Sequence, residues 1–139
     1  MRDLLGFLLV LAAIFFVVGE LRGWYLGVPT QTPILLYKMD HVVETSRRTV
    51  MREDMPVGFS GLVRRGAVTV TVLYERPASF QTGAPGRSET KVFERTYRAG
   101  EQIALDEVFA YGGGVYTVRV AYQDATGLFR LTMPGGTDL

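Results

Sequence analysis

One uninterrupted apolar run near the N-terminus constrains this chain more than any other feature. Residues 4–19 read LLGFLLVLAAIFFVVG, without a charged side chain. Such a run serves either as a secretory signal that is cut off or as a helix that stays in the bilayer. As a helix the run alone rises about 24 Å, short of a hydrocarbon core of about 30 Å. The expected solution is a longer helix over residues 4–26. Glu20 and Arg22 then lie at head-group depth, and Trp24 and Tyr25 suit the interface, apolar on the ring and polar at the tip. Arg22, Trp24 and Tyr25 are therefore the expected membrane-interface residues, with Gly27 and Pro29 as the stop. The rival is a cleaved signal, with Val17 and Gly19 at the −3 and −1 positions. No A-x-A pattern follows the core, and retention is the expectation.

Few residues precede the span and a domain follows it. This order suits a signal anchor with a cytoplasmic N-terminus and a periplasmic or extracellular domain, in a bacterial inner (cytoplasmic) membrane. The flanking charges encode that orientation only weakly, because Asp3 offsets Arg2 and Glu20 offsets Arg22. Gly19, Gly23 and Gly27 are spaced four apart, and Ala12 and Phe16 extend their stripe inward. On a continuous helix these five make one face on which another backbone can pack closely. Glycines are also common near helix ends. Residues 4–19 contain no His, Asp, Glu or Lys, so the span offers no haem or pigment ligand and no proton relay.

The chain has 139 residues, which suits one membrane helix and one domain. Its formal charge of +1 is too balanced for nucleic-acid binding driven by phosphate contacts. With no cysteine it has neither disulfides nor thiolate metal sites.

Three regions are expected: residues 1–28 as the transmembrane anchor, 29–55 as a linker or juxtamembrane segment, and 56–139 as a β-sandwich domain. Residues 27–34 carry two prolines and read as extended. Residues 34–37 suit a short strand. Residues 38–55 mix charges with Val42, Val43, Val50, Met51 and Met55, and both a helix and a strand pair are open. The period then becomes two. Val68, Val70, Val72 and Tyr74 share a face opposite Thr69 and Thr71, a strong strand signal. Residues 76–90 form a polar loop, 91–97 a strand and 98–101 a turn. Ile103, Leu105, Glu107 and Phe109 alternate in the next strand. Tyr116, Val118, Val120 and Tyr122 point one way. Residues 123–127, QDATG, read as a hairpin loop leading to a partner strand with Phe129, Leu131 and Met133. Six or seven short strands without an amphipathic helix indicate a mainly β fold, a small antiparallel β-sandwich after the N-terminal transmembrane α-helix.

The stretch GGGVYTVRVAYQDATGLFRLTM, residues 112–133, resembles the last hairpin of immunoglobulin-like bacterial sandwiches. It is also similar to the bacterial pre-peptidase C-terminal domain, where glycine, tyrosine and alternating valines precede a turn and a G-x-F/Y-x-L strand. The immunoglobulin cysteine pair and core tryptophan are absent, since Trp24 is the only tryptophan. The resemblance implies a sandwich, and fold alone does not fix function.

Candidate chemistry is sparse. His41, the only histidine, follows Asp40, with Ser46 and Ser60 the nearer serines. A Ser-His-Asp triad needs the acid on the far side of the imidazole, which sequence neighbours rarely achieve. Residues 58–62, GFSGL, miss the nucleophile-elbow pattern because Leu62 replaces its last glycine. Asp106, Glu107, Asp124 and Asp138 are carboxylates near loops. Asp124 suits a turn that bonds its own backbone better than a calcium site. Residues 112–114 lack the Lys-Ser/Thr of a phosphate loop and read as a turn. Arg47-Arg48 and Arg64-Arg65 either face lipid head groups or an acidic partner, or are solvated.

No catalytic, cofactor-binding or metal residues are therefore assigned, and no cofactor is expected. The expectation is a non-enzymatic accessory subunit whose partners are the lipid bilayer and other subunits of a membrane complex, of respiratory or photosynthetic type. The alternative is a binding module for glycan, peptide or calcium, with Phe80 and Tyr111 as contacts.

Overall fold

A computed structural model describes residues 1–49, 54–76 and 89–134. The expected mainly β architecture behind one apolar helix is present. Helix α1 covers Arg2–Arg22. It is long and apolar enough to cross a membrane, at about 31 Å. Its start and end differ from the expected 4–26. Gly23 adopts φ 78°, and its N–H closes the last turn onto the Gly19 carbonyl at 2.9 Å. The left-handed conformation favours glycine, which is why the helix stops here and not at Gly27. The chain then turns directly into strand β1, Trp24–Leu26.

Among the described residues five further strands follow: β2 Ile34–Thr49, β3 Met55–Glu75, β4 Glu89–Arg98, β5 Gln102–Phe109 and β6 Gly114–Thr132. All six belong to one antiparallel sheet of order β1-β2-β6-β3-β4, with β5 also paired to β3. The pairing thus defines one sheet where two separate sheets of short strands were expected. The segment 29–55, expected as a linker, supplies β2 and the start of β3. Of residues 38–55, those at 38–49 are strand, and Val50, Met51, Arg52 and Glu53 lie outside the described residues. Phe80, most of the expected 76–90 loop and Asp138 also lie outside them.

The expected hairpin at residues 123–127 is a bend within β6. Tyr122 pairs with Val68 and Phe129 pairs with Gly61, so both flanks hydrogen-bond to β3 rather than to each other. A straight strand would separate Tyr122 from Phe129 by about 23 Å. Their ring centroids are 5.5 Å apart. The strand therefore folds back on itself, and its neighbours fold with it. Register shifts fall at 36–41 in β2 and at 63–67 in β3. Between β4 and β5 the chain bends at Gly100 while both strands stay on β3.

Four residues on this line adopt positive φ: Lys38 at 47°, Gly66 at 76°, Gly100 at 90° and Asp124 at 45°. Polar contacts fasten it. The Asp124 N–H donates to the Asp40 carboxylate at 2.7 Å, the Lys38 N–H donates to Thr126 Oγ1 at 3.0 Å, and Arg65 Nε donates to Asp124 Oδ2 at 3.0 Å.

The fold line divides the sheet into two halves. The helix-side half contains β1, β5 and residues 34–36, 55–63 and 126–132. The far half contains β4 and residues 41–49, 67–75 and 114–123. Side chains alternate across a strand, so each half turns one set inward. Val68, Val70, Val72, Tyr116, Val118 and Val120 from the far half share one buried cluster with Val57, Phe59, Ile103, Phe129 and Leu131 from the helix-side half. Phe93 of β4 meets Phe109 of β5 at 6.0 Å although these strands are not paired with each other. At the open end, the Gly113 carbonyl accepts from the Tyr74 hydroxyl at 2.8 Å and the Gly112 carbonyl accepts from the Tyr116 hydroxyl at 3.1 Å.

Candidate functional site at the helix–sheet junction

The most distinctive geometry lies where α1 meets the sheet. Every residue from 1 to 22 is exposed except Gly19. Trp24 covers that glycine. A Cβ on Gly19 would stand 1.8 Å from Trp24 Nε1, so the absence of a side chain creates the seat for the indole. The same indole stacks on Phe15 with ring centroids 3.8 Å apart. One helical turn before Gly23, Glu20 reaches the bend of β2. Its carboxylate accepts from the Tyr37 hydroxyl at 2.5 Å and pairs with Lys38 Nζ. This hydrogen bond holds the Lys38 ammonium above its ordinary pKa. The helix end is thus fastened to the sheet on two sides, by an indole and by an ion pair.

The five residues expected to form one helix-packing face are separated by the fold. Ala12 and Phe16 are exposed on α1, Gly19 lies under Trp24, Gly23 caps the helix, and Gly27 sits in the loop between β1 and β2. A continuous glycine stripe requires a helix reaching residue 27, and the helix ends at Arg22. The interface residues also take different places. Arg22 is exposed at the helix end, and Trp24 and Tyr25 point to opposite sides of β1. Trp24 turns to the helix. Tyr25 packs against the core and lies 4.8 Å from the His41 ring, and burial raises its hydroxyl pKa.

A groove of about 580 Å³ opens between α1 and the outer face of the helix-side half. Phe15, Trp24, Leu26, Leu35, Leu128 and Arg64 are among its walls. Sequence reasoning missed Glu20, Tyr37 and Lys38 as a clamp and the leucines as a surface. The available signal for the leucines was their position. Leu26, Leu35, Leu62 and Leu128 occupy outward places in strands whose inward places are already apolar.

The residues weighed for chemistry do not converge. Asp40 is bonded to the Asp124 N–H, Ser46 shares a hydrogen bond with Thr117 at 2.8 Å, and His41 rests on Tyr25. Among the described residues no group of three or more His, Asp or Glu side chains is placed to hold a metal ion. Arg47 donates to Thr30 Oγ1 at 3.2 Å, which ties the loop after β1 to β2. A second cavity of about 300 Å³ lies at the open end beside Tyr74, Arg76, Val92 and Tyr111. Neither a protein-family model nor a curated protein matches the sequence.

Proposed function

We propose that this chain is a non-enzymatic, single-pass membrane subunit. Helix α1 crosses a bacterial inner membrane with its N-terminus in the cytoplasm. The folded sheet stands on the exocytoplasmic side and packs on a larger membrane complex, of respiratory or photosynthetic type. The observation that carries the reading is the pairing of two properties in α1. It presents apolar side chains around its whole circumference, which only a bilayer or a protein interior accommodates. Its C-terminal end is nevertheless fastened to the sheet through Glu20 and Trp24. A flexible tether needs no such fastening. A subunit that presents its domain in one pose does.

The test is extraction of tagged full-length protein in a mild detergent, followed by native mass spectrometry with peptide identification. A complex of fixed stoichiometry containing the intact N-terminus supports the reading and identifies the partner. A free species beginning near Glu20 overturns it.

The cavity at the open end favours one second reading, a binding module whose contacts include Tyr111. It predicts a domain that is folded, monomeric and ligand-competent without α1. The cut belongs after Arg22, because removal of residues 1–28 deletes β1.

A further inference from the structure

We propose that the outer face of the helix-side half is a lipid-binding face, with acyl chains filling the groove beside α1 and the phosphate of a net-anionic lipid at Arg64. The proposal rests on the membrane-anchored reading above. Leu26 pairs with Leu35, Leu35 with Leu128, and Leu128 with Leu62, so four leucines form one row across β1, β2, β6 and β3. They are 61%, 47%, 56% and 42% exposed, respectively. At strand spacing the row is about 14 Å wide. A contiguous exposed apolar row of this kind marks an interaction surface, whereas a single exposed leucine does not.

Position selects lipid as the occupant. The row is the outward level nearest the fold line and the helix. The next outward level carries Arg130 on β6 and Ser60 on β3, with Ala104 of β5 beside them, and is no longer a leucine surface. Phe15, which stacks on Trp24 and lines the groove, precedes Arg22 by seven residues, or about 10 Å along the helix. With α1 in a bilayer, the groove therefore opens alongside the membrane-embedded part of the helix. Acyl chains are the apolar material present there, and contact with them removes the leucine side chains from water. Arg64 stands at this groove, exposed, and pairs with no carboxylate among the described residues. Its neighbour Arg65 is held by Asp124. A guanidinium beside an apolar groove fits the phosphate of an anionic lipid.

Because the chain has no cysteine, single-cysteine variants carry one reporter each. Full-length Leu8→Cys, Leu128→Cys and Val108→Cys are labelled with a nitrobenzoxadiazole probe and reconstituted into phosphatidylcholine–phosphatidylglycerol vesicles with brominated acyl chains. Val108 is exposed on β5, at the opposite end of the same half from the leucine row. The expected result is loss of fluorescence at positions 8 and 128 and none at 108. Quenching at 8 without quenching at 128 overturns the proposal and leaves the anchor standing. A probe at 128 that is blue-shifted but unquenched reports cover by protein, a second copy or another subunit, and overturns it as well. No quenching at any position overturns the anchored reading too. Quenching at all three reports probe partitioning without a specific face, and also overturns it. For Arg64, brominated phosphatidylglycerol is expected to quench position 128 more than brominated phosphatidylcholine does, with the preference lost in Arg64→Gln. Equal quenching by both lipids before that substitution overturns the anionic-lipid contact at Arg64.

Discussion

The two halves of the folded sheet share one interior and present opposite exteriors. On the far half the outward positions form polar ladders. Arg119 Nε donates to Glu44 at 2.5 Å, Ser46 meets Thr117 at 2.8 Å, and Thr69 meets Thr96 at 2.9 Å. On the helix-side half the level nearest α1 carries Leu26, Leu35, Leu62 and Leu128. Both halves obey the same two-residue alternation, and both turn mainly apolar residues inward. Alternation thus dictates that a sheet forms and which face is buried. The chemistry of the outward positions states what the other face meets, and here the two halves meet different surroundings.

The largest loss of stability is expected where the halves touch. Phe129 lies 5.8 Å from Phe59 and 5.5 Å from Tyr122, and is buried. Phe129→Ala is expected to cost about 3–5 kcal/mol in chemical denaturation of the detergent-solubilised protein. Gly66 is next, because it sets the fold line. Its φ of 76° disfavours any side chain, and a Cβ would stand 2.2 Å from the Gln123 carbonyl oxygen. Gly66→Ala is expected to cost about 3 kcal/mol. Gly100 has a similar φ but open space around it, so Gly100→Ala is expected to cost only about 1 kcal/mol. Equal losses at the two glycines would refute the close-packed crossing of β3 and β6.

A gain is expected at Tyr122. Its hydroxyl is buried and has no hydrogen-bond partner among the described residues, and burial pushes its pKa up. Tyr122→Phe removes an unsatisfied polar group and is expected to stabilise by about 1 kcal/mol. The folded-state pKa lies above the unfolded value of 10.0, so this group's contribution is fully present below pH about 10. It is lost as pH rises from there toward the raised folded value. Alkaline melts of wild type should therefore fall more steeply above that pH than those of Tyr122→Phe, and parallel curves would contradict the burial argument.

The smallest stability effect is expected from the outer faces. Leu62→Ser with Leu128→Ser should leave the detergent-state unfolding midpoint within about 0.5 kcal/mol per site, since neither leucine lies in the core. A large loss of stability in detergent would place these leucines in the fold rather than at its surface.

Much of the sheet was legible from period-two patterns. Val68, Val70 and Val72 and the Tyr116–Tyr122 alternation all face the core as expected. Residues 38–49 were not, because the inward positions of β2 include Thr45, Arg47 and Thr49, which blur the pattern. The sequence at the bend in β6 reads as a hairpin for a physical reason. A turn and a sharp fold both require a residue such as Asp124 in the left-handed region. What separates them is whether the flanks pair with each other or with a third strand, and no local sequence encodes that. At the junction the aromatic pair after the helix was visible, but its structure depended on Gly23. The leucine row was invisible as a row, since its members are brought together only by the register of four strands.

Trp24, as the only tryptophan, reports the position of the helix–sheet junction in the unmodified protein. Full-length protein is reconstituted in vesicles with bromine placed either near the head group or deep in the acyl chain. If α1 spans the bilayer and the sheet is fastened at its boundary, Trp24 emits as a ring shielded from water and is quenched more by the shallow bromine. Red, unquenched emission at both depths would contradict the account, because it would place the junction in water away from any membrane.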